Sequence, residues 1–274
     1  MTEVLSKRGL NIMTVTIAIV CSDGVVIGAD RKVTMSRGTR IKSLEQKIYT
    51  LSFRDGKKLL ICGAGSTDQV RRAMFEINPV TLDTMDCNAY RDMVESTIAR
   101  LRWKLSERNL IYDATLLFGM IDAHKPVIGH ITSSGLVELK YEGYFTEGIA
   151  APYAEIVLKD SYSKDMSVDD AKLIVGGLIE KIGKVDNDVE GMDVFYMAST
   201  DERIDGLTWE ERQAVISEDS FSFDFKRNLE NVKSNIEYWK NLLKKPEKEE
   251  QHKEPEQPTE PTEQKCPQSP IADP

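Results

Sequence analysis

The segment TVTIAIVCSDGVVIGADRK, which spans Thr14–Lys32, decides the fold class of this chain. Thr14–Cys21 is rich in β-branched residues and is apolar at both odd and even positions, so it predicts a strand that is covered on both faces. Asp23-Gly24 is a tight-turn signal, and Val25–Asp30 repeats the apolar pattern after it. We therefore expect a β-hairpin in a sheet that other layers cover on both sides.

The composition limits the class of protein. The 274 residues are 41% hydrophobic and 30% charged, which is typical of a globular chain and excludes a fibrous or wholly disordered one. No stretch approaches the roughly 20 apolar residues that span a bilayer, and the net charge of −9 comes without a large basic block, so we expect neither a membrane nor nucleic acid as partner. Three histidines, and four cysteines without a CxxC pair, favour a reducing, cytoplasmic compartment and no metal or cofactor.

Proline and charge divide the chain into three segments. Residues 246–274 hold seven of the ten prolines and carry a net charge of −5. This tail has too few apolar residues to offset the entropy of ordering, so we expect it to be disordered. Residues 14–245 suit one compact domain, and residues 1–13 form an N-terminal extension or propeptide, or are not translated.

The rest of the chain runs in groups of strands and helices. Apolar runs predict strands at Lys47–Ser52, Lys58–Gly65, Ala114–Ile121, Pro126–Thr132, Leu136–Tyr141 and Met192–Ala198. Helical spacing and caps predict helices at Thr67–Ile77, at Asn88–Arg108, from Pro152, from Ser167 to Val185, and at Phe225–Leu243. This order predicts an α+β fold, a four-layer α-β-β-α sandwich with two sheets between helix layers. His130 falls in an apolar strand, where we expect a structural role.

The opening hairpin resembles the start of a mature proteasome β-type subunit, a member of the N-terminal nucleophile hydrolases. The family pattern is a threonine, an apolar strand, a D-G hairpin, an aspartate, a lysine and a small-residue turn. In this chain the threonine is Thr14, the hairpin turn is Asp23-Gly24, the aspartate is Asp30, the lysine is Lys47 and the small-residue turn is Cys62–Asp68. Similarity continues through GIAAPYA (Gly148–Ala154), DMSVDDA (Asp165–Ala171) and VDNDVEGMDVFY (Val185–Tyr196). Each motif alone is weak, but their joint order is specific and covers about residues 14–200.

The resemblance implies a catalytic set of Thr14, Asp30, Lys47 and Asp186, with Thr14 as nucleophile. A threonine hydroxyl needs a base, and the α-amine supplies one when the threonine is the first residue. That amine has a pKa of about 7.7–8.0, close to working pH. A buried lysine beside the hydroxyl lowers the pKa of both groups, and a buried aspartate holds the lysine. Lys47 and Asp30 fit these two roles.

The same resemblance implies an oxyanion donor and a substrate pocket. The turn after the fourth predicted strand has small residues, so the backbone N–H of Ala64 or Gly65 is the candidate donor to the developing oxyanion. The positions that match the family's specificity pocket are Val33, Glu45, Cys62 and Ser66. A glutamate among them favours basic side chains in the substrate.

The position of Thr14 raises the question of how its amine becomes free. Family members normally cut their propeptide after glycine, whereas Met13 precedes Thr14 here. Our hypothesis is that translation starts at Met13 and that an aminopeptidase removes this methionine. The rival hypotheses are a short propeptide that cleaves itself after methionine, and an unprocessed, inactive chain.

Two departures from the family leave the reaction open. Active relatives usually carry a serine in a turn that is Gly148-Ile149-Ala150 here, and another serine at the position of Val189. A threonine-type endopeptidase is the main hypothesis, and a peptide ligase like the archaeal connectases is the alternative. A catalytically inactive ring subunit is the third reading. The family also implies a peptide or protein substrate and a homo-oligomeric ring, with an ATPase or an α-type ring as candidate partner.

Overall fold

The structure, a computed structural model, describes residues 14–37, 39–77, 86–200 and 204–207. In chain order these residues form β1 (Thr16–Cys21), β2 (Gly24–Asp30), β3 (Lys32–Arg37), β4 (Thr39–Leu44), β5 (Tyr49–Ser52), β6 (Lys58–Ala64), α1 (Thr67–Glu76), α2 (Cys87–Ser106), β7 (Thr115–Asp122), β8 (Lys125–Ile131), β9 (Val137–Lys140), β10 (Tyr144–Glu147), α3 (Ala151–Ser161), α4 (Val168–Val185), β11 (Met192–Ala198) and β12 (Ile204–Gly206). The predicted helix at Phe225–Leu243, the extension 1–13 and the tail 246–274 lie outside the described residues.

The strands build two sheets and a separate ribbon. The first sheet has the order β10-β1-β2-β11-β12, the second has the order β5-β6-β7-β8-β9, and β3 pairs only with β4. Each of these pairings is antiparallel. The sequence did not predict β3, β4, β10 or β12, because short strands with polar residues lack the long apolar runs that marked the others.

The opening hairpin is present, but its turn lies one residue earlier than predicted. Cys21 pairs with Gly24, so the two turn residues are Ser22 and Asp23. Gly24 already belongs to β2, where a Cβ atom would lie 2.2 Å from the backbone oxygen of Met197 on the adjacent strand. The glycine is therefore required by close packing of two strands and not by the turn.

Two apolar cores explain why the strands are apolar on both faces. One core contains residues of β1 and β2 together with residues of β6, β7 and β8, so the two sheets face each other. The other lies between the second sheet and the helices α1 and α2. On the far side of the first sheet, α4 packs against β2 and β11, and a Cβ at Gly28 would lie 2.2 Å from Val175 of that helix.

The helix starts follow the predicted caps. The Ser167 side chain accepts a hydrogen bond from the Asp170 N–H at the start of α4, and Pro152 lies in the first turn of α3. The described residues therefore form a mixed α and β fold with two five-stranded sheets and four helices.

Candidate active site

Three of the predicted site residues meet at one end of the first sheet. The Lys47 ammonium donates hydrogen bonds to both carboxylate oxygens of Asp30, at 2.9 Å each, and lies 3.1 Å from the Thr14 hydroxyl oxygen. Thr14 and Asp30 are almost completely buried, and the Lys47 side chain is 11% exposed. Lys47 therefore links the hydroxyl to the carboxylate in a site that is largely shielded from water.

The hairpin positions two of these three residues. Thr14 lies two residues before the start of β1, and Asp30 is the last residue of β2, so the antiparallel pairing brings them to the same sheet end. The Asp30 carboxylate also accepts hydrogen bonds from the backbone N–H groups of Val15 at 3.0 Å and Lys32 at 3.1 Å. Lys47 enters from the connection between β4 and β5, a position that strand alternation alone does not predict.

Burial dominates the electrostatics of this group. It raises the pKa of the Asp30 carboxyl, while the Lys47 ammonium and two backbone N–H groups oppose that shift. Burial lowers the pKa of the Lys47 amine, and the Asp30 carboxylate opposes that shift in turn. A charged lysine at this place stabilises a developing negative charge on the Thr14 oxygen, because the low local dielectric strengthens the attraction.

A tight turn holds the main chain of Thr14. The Ala150 N–H donates a hydrogen bond of 3.3 Å to the Thr14 carbonyl oxygen. Gly148 has a φ of +97°, and a Cβ there would lie 2.0 Å from the same oxygen. Only glycine fits this contact, so the turn that lacks the family's serine still fixes the Thr14 backbone.

A small, partly open cleft lies against the buried group. Its lining residues are Thr14, Val33, Glu45, Gln46, Lys47, Tyr49, Gly63, Gly65, Thr67, Val70 and Arg71. Thr14 and Lys47 therefore line the same cleft as Glu45 and Arg71.

The structure separates the four predicted pocket residues into two pairs. Val33 and Glu45 line the cleft. The Cys62 side chain is fully buried in the core between the sheets, because alternation along β6 turns it inward. Burial also raises the pKa of its thiol to about 12. Ser66 is the N-cap residue of α1, and Thr67 lines the cleft beside it.

Glu45 is not a free negative charge in the cleft. Its carboxylate forms an ion pair with Arg71 and accepts a hydrogen bond of 3.0 Å from the Ser43 hydroxyl. Arg71 was not among the predicted pocket residues. The signal was available, since Thr67, Val70 and Arg71 have the i, i+3, i+4 spacing of one helix face and follow directly on the small-residue turn.

The two candidate oxyanion donors lie at the end of β6. Ala64 is the last residue of that strand and pairs with Thr115, while Gly65 follows it and lines the cleft. Gly65 has a φ of +97°, and a Cβ there would lie 2.4 Å from the Asp113 oxygen. The backbone thus turns sharply at the cleft, where a backbone N–H can reach a ligand.

Asp186 lies at the end of α4. It is the C-cap residue of α4, and its carboxylate accepts a hydrogen bond of 3.0 Å from the Asp188 N–H. Within the described part of the chain, it has no hydrogen bond or ion pair with Thr14, Asp30 or Lys47. The predicted serine position, Val189, is a buried apolar residue.

One cluster away from the cleft has the donor atoms of a metal site. Asp86, Cys87 and Asp122 place potential ligand atoms within 4.8 Å of one another. The Asp86 carboxylate already accepts two N–H groups in the first turn of α2, as its N-cap. We therefore interpret the cluster as a helix start.

Among the described helices, none is both long and apolar enough to cross a membrane.

A comparison with known protein families agrees with the family resemblance that the hairpin, the buried lysine and the glycine turn indicate. The chain belongs to the proteasome subunit family, whose model matches residues 13–195. A proteasome subunit beta of Methanocella paludicola is 27% identical over 182 residues, which is 64% of this chain and 82% of that protein. A proteasome subunit beta of Ferroglobus placidus is 29% identical over 212 residues, which is 74% of this chain and 94% of that protein.

Solved structures show the same fold. Anbu, an ancestral beta-subunit from Yersinia bercovieri, superposes with a TM-score of 0.61 at 14% identity, over 85% of this chain and 98% of that one. At this sequence identity, the structural similarity shows the fold alone.

Proposed function

We propose that the protein is a threonine-type endopeptidase with Thr14 as its nucleophile. The observation that carries the proposal is the contact of one buried ammonium, that of Lys47, with both the Thr14 hydroxyl and the Asp30 carboxylate. The cleft against this group and the membership in the proteasome subunit family support it.

The reaction needs Thr14 to be the first residue of the mature chain. Its α-amine then takes the hydroxyl proton while the oxygen attacks the substrate carbonyl. The N–H of Ala64 or Gly65 stabilises the oxyanion of the tetrahedral intermediate. The intermediate collapses to an ester on Thr14, and the leaving amine takes the proton. Water then attacks the ester, releases the acid and restores the hydroxyl.

Transfer to a second peptide is the alternative fate of the same ester. An incoming amine in place of water attacks the ester carbonyl and loses a proton to the α-amine of Thr14. The ester C–O bond then breaks, the Thr14 oxygen takes that proton, and a new amide bond remains, as in a connectase-like ligase. Ile149 and the buried Val189 favour this candidate, because they replace with apolar groups two serine hydroxyls that hydrolytic relatives usually carry near the nucleophile.

Covalent labelling tests the nucleophile. A β-lactone acylates reactive hydroxyls, and we expect the adduct on Thr14 by peptide mass spectrometry. Thr14→Ala removes the hydroxyl and must abolish the adduct, whereas Thr67→Ala, a threonine in the same cleft, must retain it. Labelling that persists in Thr14→Ala contradicts the proposal.

Product analysis separates hydrolysis from transfer. A peptide incubated with an excess of a second amine-bearing peptide gives free acid from an endopeptidase and a spliced peptide from a ligase. If protein that carries Thr14 at its N-terminus forms neither product, the result supports the inactive ring subunit.

The family also supports further proposals about assembly and architecture. We propose a homo-oligomeric ring in the cytoplasm, with a peptide or protein substrate and an ATPase or α-type ring as partner. We further propose that the helix and sheet contacts combine into the four-layer α-β-β-α sandwich, over a domain of residues 14–245 that precedes the acidic tail.

A further inference from the structure

A polar cluster between the two sheets lies beside the candidate site. One oxygen of the Glu147 carboxylate is 2.8 Å from Nε2 of His130. The other oxygen accepts hydrogen bonds from the Thr115 hydroxyl at 3.2 Å and the Gly148 N–H at 3.4 Å. The side chains of His130 and Glu147 are 16% and 25% exposed, so the cluster is mostly shielded.

The cluster connects the two halves of the proposed catalytic machinery. Glu147 ends β10 and pairs with Thr16 of β1, in the sheet that carries Thr14. Thr115 and His130 belong to the other sheet, and Thr115 pairs with Ala64, a candidate oxyanion donor. One carboxylate therefore joins the nucleophile's sheet to the oxyanion donor's sheet at the end where both residues lie.

Glu147 also acts on the main chain of Thr14 through the next residue. Its carboxylate accepts the Gly148 N–H, and Gly148 packs directly against the Thr14 carbonyl oxygen. Ala150, two residues further on, donates its N–H to that oxygen. The side chain of Glu147 thus ties down the turn that holds Thr14.

We propose that Glu147, which accepts a hydrogen bond from Thr115 and is in close contact with His130, is a positioning residue that sets the distance between Thr14 and the oxyanion donor. Its effect on the reaction rests on the proposed function, whereas its effect on the Thr14 backbone does not. Charge-assisted hydrogen bonds are shorter and stronger than neutral ones, so a carboxylate fixes this distance better than an amide. Contacts with His130, Thr115 and Gly148 outweigh burial and lower the pKa of the Glu147 carboxyl, so it stays charged at neutral pH.

The experiment compares Glu147→Gln with Glu138→Gln in the full chain with Thr14 at its N-terminus. The first variant keeps the size of the side chain and removes its charge. The second makes the same change at an exposed residue of β9, the strand beside His130. One readout is the rate and the affinity of β-lactone acylation at Thr14, and the other is hydrogen exchange at the Ala150 amide, measured by NMR.

We expect Glu147→Gln to lower the maximal acylation rate by about 10- to 100-fold without changing the affinity for the lactone, since small misplacements of reacting groups cost this much. The Ala150 amide should exchange faster, because its acceptor on Thr14 is held less tightly. Glu138→Gln should match the wild type in both readouts. Thr115→Val, which removes one hydrogen bond to the carboxylate and keeps the shape, should shift both readouts in the same direction by less.

The outcomes separate the inference from the proposed function. If Glu147→Gln and Glu138→Gln behave alike in acylation and in exchange, the positioning role is wrong. If the wild type is not acylated at Thr14 but Glu147→Gln speeds exchange at Ala150, the proposed function fails and the backbone role of Glu147 stands. If the wild type is acylated and Glu147→Gln reacts equally fast, the nucleophile stands and the positioning role is overturned.

Discussion

Replacing Lys47 with methionine removes the positive charge that faces the Thr14 hydroxyl and leaves a side chain of similar length. With the ammonium 3.1 Å from that oxygen, Coulomb's law at an effective dielectric constant of about 20 gives an attraction of about 5 kcal/mol for a full negative charge. This energy corresponds to about 10⁴-fold in rate, an upper limit because only part of the charge develops in the transition state. We therefore expect Lys47→Met to slow acylation of Thr14 by about 10³- to 10⁴-fold.

The assay is the rate of β-lactone acylation at Thr14, followed by intact mass spectrometry. Lys58→Met, the same substitution at an exposed residue of β6, is the control and should react like the wild type. Lys47→Arg keeps the positive charge next to Asp30 and should remain folded. Its acylation rate shows whether the missing charge or a fold defect explains the slower acylation of Lys47→Met. A folded Lys47→Met protein that is acylated as fast as the wild type would refute the reasoning.

Three other substitutions test the surroundings of the nucleophile. Asp30→Asn leaves the Lys47 charge buried without its partner and should cost about 3–5 kcal/mol in urea unfolding. Loss of the carboxylate lowers the pKa of the Lys47 amine below its wild-type value, since Asp30 opposes the effect of burial. The deficit should therefore shrink as pH rises from the variant's Lys47 pKa to the wild type's, because in that interval only the folded variant has lost the proton. Gly148→Ala places a methyl group 2.0 Å from the nucleophile's carbonyl oxygen and should cost more than about 1 kcal/mol, seen as a lower Tm. Arg71→Gln frees the Glu45 carboxylate and should raise the preference for basic peptide side chains, and an unchanged peptide profile would contradict this.

The sequence predicted the group of Thr14, Asp30 and Lys47 better than the residues that line the cleft around it. Two continuous apolar runs around an Asp-Gly turn predicted the hairpin, which brings Thr14 and Asp30 to one sheet end, but only the family resemblance selected Lys47, which lies in a connection. The ion pair of Glu45 with Arg71 joins residues 26 positions apart, and no local pattern specifies such a pairing.

The sequence also left the inward or outward direction of some side chains open. Cys62 was expected in the pocket, and the register of β6 turns it into the core instead. A shift by one residue exchanges the two faces of a strand, so a single uncertain position decides between pocket and core. Glu147 and His130 were missed as a pair for a related reason, since they meet only after the two sheets face each other.

The most direct measurement is the intact mass and N-terminal sequence of the purified native protein. We predict a chain that begins at Thr14, with the free α-amine that the proposed reaction uses as its base. A chain that retains residues 1–13 would place that nitrogen in a peptide bond, and the catalytic role of Thr14 would then be contradicted.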